Sequence, residues 1–185
     1  APLGPGRVVV LSRTGVILET IELPANALNP SDAVLASGRL IILAGGTFDP
    51  TTFAPNGDGA IVIVDPAGRE VTSTQPLQAN GTSIALGADG LVYLTTTTDF
   101  VSLDLLRFDP RSGSFDRGPS NPIPSTDLAG DPVDCWTSTA VTDGRILCAT
   151  FRSDARGRLL LLSSEGQALS ETASGFGTTD IGILP

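Results

Sequence analysis

Most of the side chains that usually carry out chemistry are missing from this sequence. It has no His and no Lys, which excludes a Ser-His-Asp triad, a histidine metal site and a Schiff-base lysine. What remains is oxygen chemistry. Asp32, Ser83, Ser138 and Asp180 fall at equivalent places, each at the start of a short β-type run, and such a ring of oxygens suits a hard cation such as calcium. Asp32 and Asp180 are the candidate metal ligands. Against this, only these two are carboxylates, and Asp or Ser at a strand start commonly bonds loop backbone. Asp49, Asp58, Asp99, Asp127, Asp131, Asp134 and Asp154 mostly adjoin Gly, Pro, Ser or Thr, where turn chemistry explains them. A pair of carboxylates could run acid-base hydrolysis, but no spacing singles one out. No catalytic residue and no organic cofactor is assigned, and the expectation leans away from an enzyme.

Charge narrows the partners. The 20 acids face 11 bases, all of them arginine, giving a formal net charge of -9 and a pI near 4.3, so nucleic acid and anionic membrane are poor partners. No apolar run approaches the roughly 20 residues needed to cross a bilayer.

Cys135 and Cys148 invite a disulfide. A two-residue turn at Asp143-Gly144, however, sets Cys148 opposite Thr139 and Cys135 opposite Arg152. The cysteines are then about 13 Å apart along the strands at about 3.3 Å per residue, beyond the limit of about 7 Å between Cα atoms. The expectation is two unbridged thiols.

The elements that must position these groups are hairpins. In Gly81–Thr98, Ile84, Leu86, Val92 and Leu94 flank Asp89-Gly90, a strong hairpin signal because such turns need positive φ. Similar inner hairpins are expected near 31–44 and 136–150. Outer hairpins are expected near 7–23, 60–75, 102–117 and 158–170, the first with its leading strand, Val8-Val9-Val10-Leu11, buried on both sides. Gly38, Gly90 and Gly144 are spaced by 52 and 54; Gly15, Gly68, Gly113 and Gly166 by 53, 45 and 53. With 21 Gly, 14 Pro and no helical period, this repeat predicts an all-β chain, a β-propeller of about four four-stranded blades. The chain starts in mid-blade and counts fifteen strands, the last an unpaired inner strand at 178–184. It is either an unusual four-bladed ring or part of a larger ring completed by other polypeptide.

The segments TSIALGADGLVYLTT then LLRFDPRSGSF, and DAVLASGRLIILAGG then IVIVDPAGREV, resemble the blade pattern of bacterial YncE-like, NHL-like and SMP-30-like propellers. That resemblance covers nearly the whole chain. It implies the fold strongly and the function weakly, since these propellers include binding proteins, lactonases and lyases.

Propeller topology puts short Gly-marked turns on one face and long connections on the other: 45–59, 95–101, 119–134, 151–157 and 172–178. Phe48, Phe53, Phe100, Trp136, Phe151 and Phe176 fall in or beside these loops, with Arg152 and Arg156 as their basic groups. Exposed, the aromatics are recognition anchors; folded inward, they plug the funnel. The leading expectation is a non-enzymatic interaction or assembly platform, a protein partner or second copy covering the blade edge. The alternative is a metal-dependent lactonase, esterase or lyase at the funnel mouth. The missing Met and the Ala-Pro start, together with family habit, lead to an expected extracytoplasmic location: periplasm, cell surface or secreted.

Overall fold

The computed structural model describes residues 6–141, 143–150 and 156–175. They form fourteen strands and no helix. β1 (Arg7–Leu11) and β2 (Ile17–Glu22) make a two-stranded sheet. β3 (Pro30–Ala36), β4 (Arg39–Ala44), β5 (Ala60–Asp65) and β6 (Glu70–Pro76) make the first four-stranded sheet. β7 (Asn80–Leu86), β8 (Val92–Thr97), β9 (Leu103–Asp109) and β10 (Ser114–Arg117) make the second. β11 (Thr137–Ala140), β12 (Ile146–Ala149), β13 (Arg158–Leu162) and β14 (Ala168–Ala173) make the third. Within each sheet every strand pairs antiparallel with the next in sequence, as in the blades of a propeller. The expected inner strand at 178–184 lies outside the described residues.

Alternation along the central strands explains how the blades stack. Ile41, Leu43, Ile61 and Ile63 point one way and pack with Val92, Leu94, Leu106 and Phe108 of the next blade. Their neighbours Ile42, Ala44, Val62 and Val64 point the other way, onto Ile21 and Leu23 beside the β1–β2 sheet. Tyr93 and Leu105 then face Ala140, Ile146, Cys148, Leu160 and Leu162 of the third blade. A strand buried on both faces reads as a continuous apolar run because each residue parity serves a different layer. Three apolar layers thus join four sheets in series.

At the start of the series the expectation fails. β1 packs only Val8 and Val10; Val9 and Leu11 stay exposed, with Ile17 opposite Leu11. No core cluster among the described residues joins this face to the third blade, so among those residues nothing covers one side of β1.

Four of the short turns share one form. Residues 12–16, 87–91, 141–145 and 163–167 are each closed by an N–H from the first residue to the carbonyl of the last, and a second from the glycine back to the first. The glycine has positive φ in each, as Gly90 does at 80°, which is why Gly marks the period. The β5–β6 turn differs: Arg69, and not Gly68, takes the left-handed place, while Gly68 is needed for close approach, since a Cβ there would come 2.7 Å from Asp65 Oδ2.

Candidate binding surface on the long-loop face

Opposite the short turns lie the connections 45–59, 98–102 and 118–136. The first is anchored by packing that only glycine permits. A Cβ on Gly59 would collide with the Ala79 carbonyl, and one on Gly81 with the Leu43 side chain. Buried Asn80 donates to Thr47 O (2.8 Å) and accepts from Gly57 N (2.9 Å). Asp58 accepts from Thr47 N and Thr47 Oγ1, both at 2.6 Å. On this base, 47–56 forms a miniature hairpin in which Phe48 bridges Pro55. Asp49 closes its tip by accepting from Thr51 N (2.8 Å) and Thr52 N (2.7 Å). Those N–H groups, Thr52's first, hold the Asp49 carboxyl below its usual value. Phe53 follows in the left-handed region, φ 58°.

The 98–102 connection uses the same chemistry. Thr97 Oγ1 accepts from Phe100 N (2.8 Å) and donates to Ser102 O (2.9 Å). Asp99 Oδ1 accepts from Val101 N (2.8 Å) and Ser102 N (2.7 Å), which lowers its pKa. Phe100 is also left-handed, φ 61°, and its ring stacks on Phe48 at 5.4 Å between centroids and 21° between planes. Phe48 is 41% exposed, Phe100 45% and Phe53 72%. These three rings therefore face solvent and do not plug a funnel. Val101 is exposed beside them, and Trp136 is half-buried. Phe151, Arg152 and Phe176 lie outside the described residues.

Carboxylates flank the rings. Asp134 Oδ1 accepts from Leu103 N at 2.9 Å, next to Asp104. Partial burial, then the charges of Asp134 and Asp99, push the Asp104 carboxyl above its usual value. The spacing of acids in the sequence did not pick out Asp104; the signal was its position two residues past the Ser102 loop end.

The third connection overturns the cysteine expectation. Cys135 and Cys148 form a disulfide, with Cα atoms 5.3 Å apart. The turn is one residue longer than assumed, closed between Val141 and Arg145, so Cys148 pairs with Ser138 and not Thr139. Cys135 has also left the strand line. The 118–136 chain crosses the sheet face, and Cys135 packs with Ile123, Val133, Ile146 and Leu160. Register along a strand cannot forbid a bridge made across its face. Ile123 N bonds Leu105 O (2.8 Å), and Arg158 donates to Asp127 (3.0 Å), tying this loop down further.

The predicted metal ligands are placed only in part. Asp32 is exposed in a groove of about 330 Å³ lined by Arg7, Val8, Leu23, Pro30, Ala33, Leu40 and Ile42. Its Oδ1 accepts from Ala33 N at 2.7 Å, the backbone role open to Asp at a strand start. Ser83 donates to Thr95 Oγ1 at 3.0 Å. Ser138 is buried on the same face of β11 as Ala140, and its Oγ has no partner among the described residues. Asp180 lies outside them. Among the described residues no group of three or more His, Cys, Asp or Glu is arranged to hold a metal ion.

No protein-family model and no curated protein matches this sequence. Its likeness is to solved structures. Hydrazine synthase from Kuenenia stuttgartiensis superposes with a TM-score of 0.63 at 10% identity, over 95% of this chain and 58% of that one. The WD40 domain of Toxoplasma gondii coronin gives 0.50 at 12%, over 80% and 34%. Synechocystis apocarotenoid oxygenase gives 0.51 at 17%, over 97% and 43%. Identities this low speak for fold alone. The chain is a β-propeller repeat protein, and it spans 58% or less of each of these longer chains.

Proposed function

We propose that this propeller is a non-enzymatic interaction or assembly platform working through its long-loop face. The observation that carries the reading is the group Phe48, Phe53 and Phe100: exposed rings on loops tied down by Asn80, Asp58, Asp99 and Thr97. An exposed apolar patch on a rigid base is a feature of recognition surfaces. The carboxylates of Asp49, Asp58, Asp99 and Asp134 are engaged with backbone, which favours binding over hydrolysis. The side of the β1–β2 sheet that no other described residue covers, with exposed Val9, Leu11 and Ile17, is a second surface that a protein partner or second copy would cover. An extracytoplasmic location fits the Cys135–Cys148 disulfide, since such bonds persist in oxidising compartments.

The test is photo-cross-linking in extract of the source organism, with a benzophenone side chain in place of Phe53 or, on the turn face, of Ala67. Protein adducts from position 53 and few from 67 are expected. Equal yields from the two faces defeat the reading.

A further inference from the structure

We propose that the long-loop face docks a basic amphipathic polypeptide segment, whose apolar side chain seats against Phe48, Phe53, Phe100 and Val101 while its Lys or Arg meets Asp104 and Asp134. The inference rests on the platform reading above and adds the chemistry of the partner.

The apolar half of the argument is the stack of Phe48 on Phe100 with Phe53 and Val101 beside it, all exposed. Rings raised on projecting loops suit a macromolecule better than a small molecule, which binds in walled cavities.

The charged half is the setting of those rings. Asp99 directly precedes Phe100, and Asp134 bonds the backbone of Leu103, the neighbour of Asp104. The described ion pairs join Arg69, Arg107, Arg111, Arg117, Arg145 and Arg158 to other acids. None of them reaches Asp99, Asp104 or Asp134, and the Asp104 carboxylate makes no hydrogen bond among the described residues. Partial burial first, and then the charges of Asp134 and Asp99, raise the Asp104 carboxyl, and an incoming cation offsets the repulsive part. Among the described residues these carboxylates form no metal-holding group, and the exposed rings beside them favour a cation carried on an apolar chain over a bare ion. Apolar contact gives the dwell time, and the acids set orientation and the rate of encounter.

The experiment uses the full chain and fluorescein-labelled eight-residue peptides alternating Arg with Leu, Arg with Ser, Glu with Leu, and Ser with Leu, read by fluorescence anisotropy. The Arg/Leu peptide should bind tightest, and more weakly as salt rises. Asp104→Asn with Asp134→Asn should weaken it on the order of ten-fold, and Phe100→Ala by at least about as much. Asn at 134 keeps an oxygen for Leu103 N. A cooperative thermal melt together with the parent's circular dichroism spectrum shows that each variant is folded. Glu22→Gln with Glu70→Gln, which removes the same charge elsewhere, should leave binding unchanged.

Three results overturn the proposal. One is no Arg/Leu binding. Another is an equal loss in the Glu22/Glu70 variant, which means bulk charge. The third is equal binding of Ser/Leu or Glu/Leu peptides with sensitivity to Phe100→Ala alone. That last result keeps the platform and removes the basic partner, whereas failure of the cross-linking contrast removes the platform itself.

Discussion

Asp104 and Ser138 are residues whose surroundings work against them. Asp104 has a folded-state pKa above its unfolded value. Its ionised form therefore weakens the fold at neutral pH, and the penalty fades as pH falls through the raised pKa. Asp104→Asn should melt at a higher temperature than the parent at pH 7, with the two curves converging near pH 3, below the usual aspartate value of about 3.9. Thermal melts across that range test this. Ser138 buries a hydroxyl without a partner among the described residues, and an unsatisfied buried hydroxyl costs about 1–3 kcal/mol. Ser138→Ala should accordingly be more stable by about 1 kcal/mol in urea titration. The exposed phenylalanines were legible in the sequence as loop aromatics. Their direction was not, because it depends on left-handed backbone at Phe53 and Phe100 beside hydrogen bonds that Asp49 and Thr97 accept from Thr52 N and Phe100 N.

The long connections hold their shape through a few tethers. Cys135–Cys148 closes a short loop, with a sequence separation of 13, for which constraint of the unfolded chain is worth about 3 kcal/mol. Denatured, unreduced protein should show no free thiol by titration, and Cys135→Ala with Cys148→Ala should lose roughly that stability. Asn80→Ala would leave Gly57 N and Thr47 O without their partner in a buried place. It should cost about 1–3 kcal/mol and loosen the hairpin that presents Phe48, seen as faster amide exchange over 47–56. The hairpins themselves were readable from alternation and turn glycines. The tethers were not, since Asn80 and Asp58 meet Thr47 from 33 and 11 residues away.

The described residues form a series of sheets joined by three apolar layers. Ile61 lies fully buried between blades and Ile17 is 63% exposed on the outer side of the β1–β2 sheet. Ile61→Ala should cost about 2–5 kcal/mol in urea denaturation. Ile17→Glu should change the stability of the isolated chain by less than about 0.5 kcal/mol. If a partner or second copy covers that sheet, the same Ile17→Glu change should shift the mass seen by native mass spectrometry toward the lone chain. Calcium titration by calorimetry tests the cation ring independently, and with Asp32 already bonded to Ala33 N the expected result is neither heat nor a thermal shift.

The sequence by itself determined the all-β class, the alternation of two hairpin kinds and the separation of short turns from long loops. These follow from local rules: the two-residue period of a strand, and the positive φ that glycine supplies in a tight turn. Only the tertiary structure decided that Cys135 reaches Cys148 across a sheet face, that the Phe48–Phe100 stack faces solvent, and that Val9 and Leu11 on one side of β1 are exposed and not packed in a core layer. Each of these depends on how distant segments pack against one another, and a strand's own alternation carries no record of which neighbour, if any, will cover its second face.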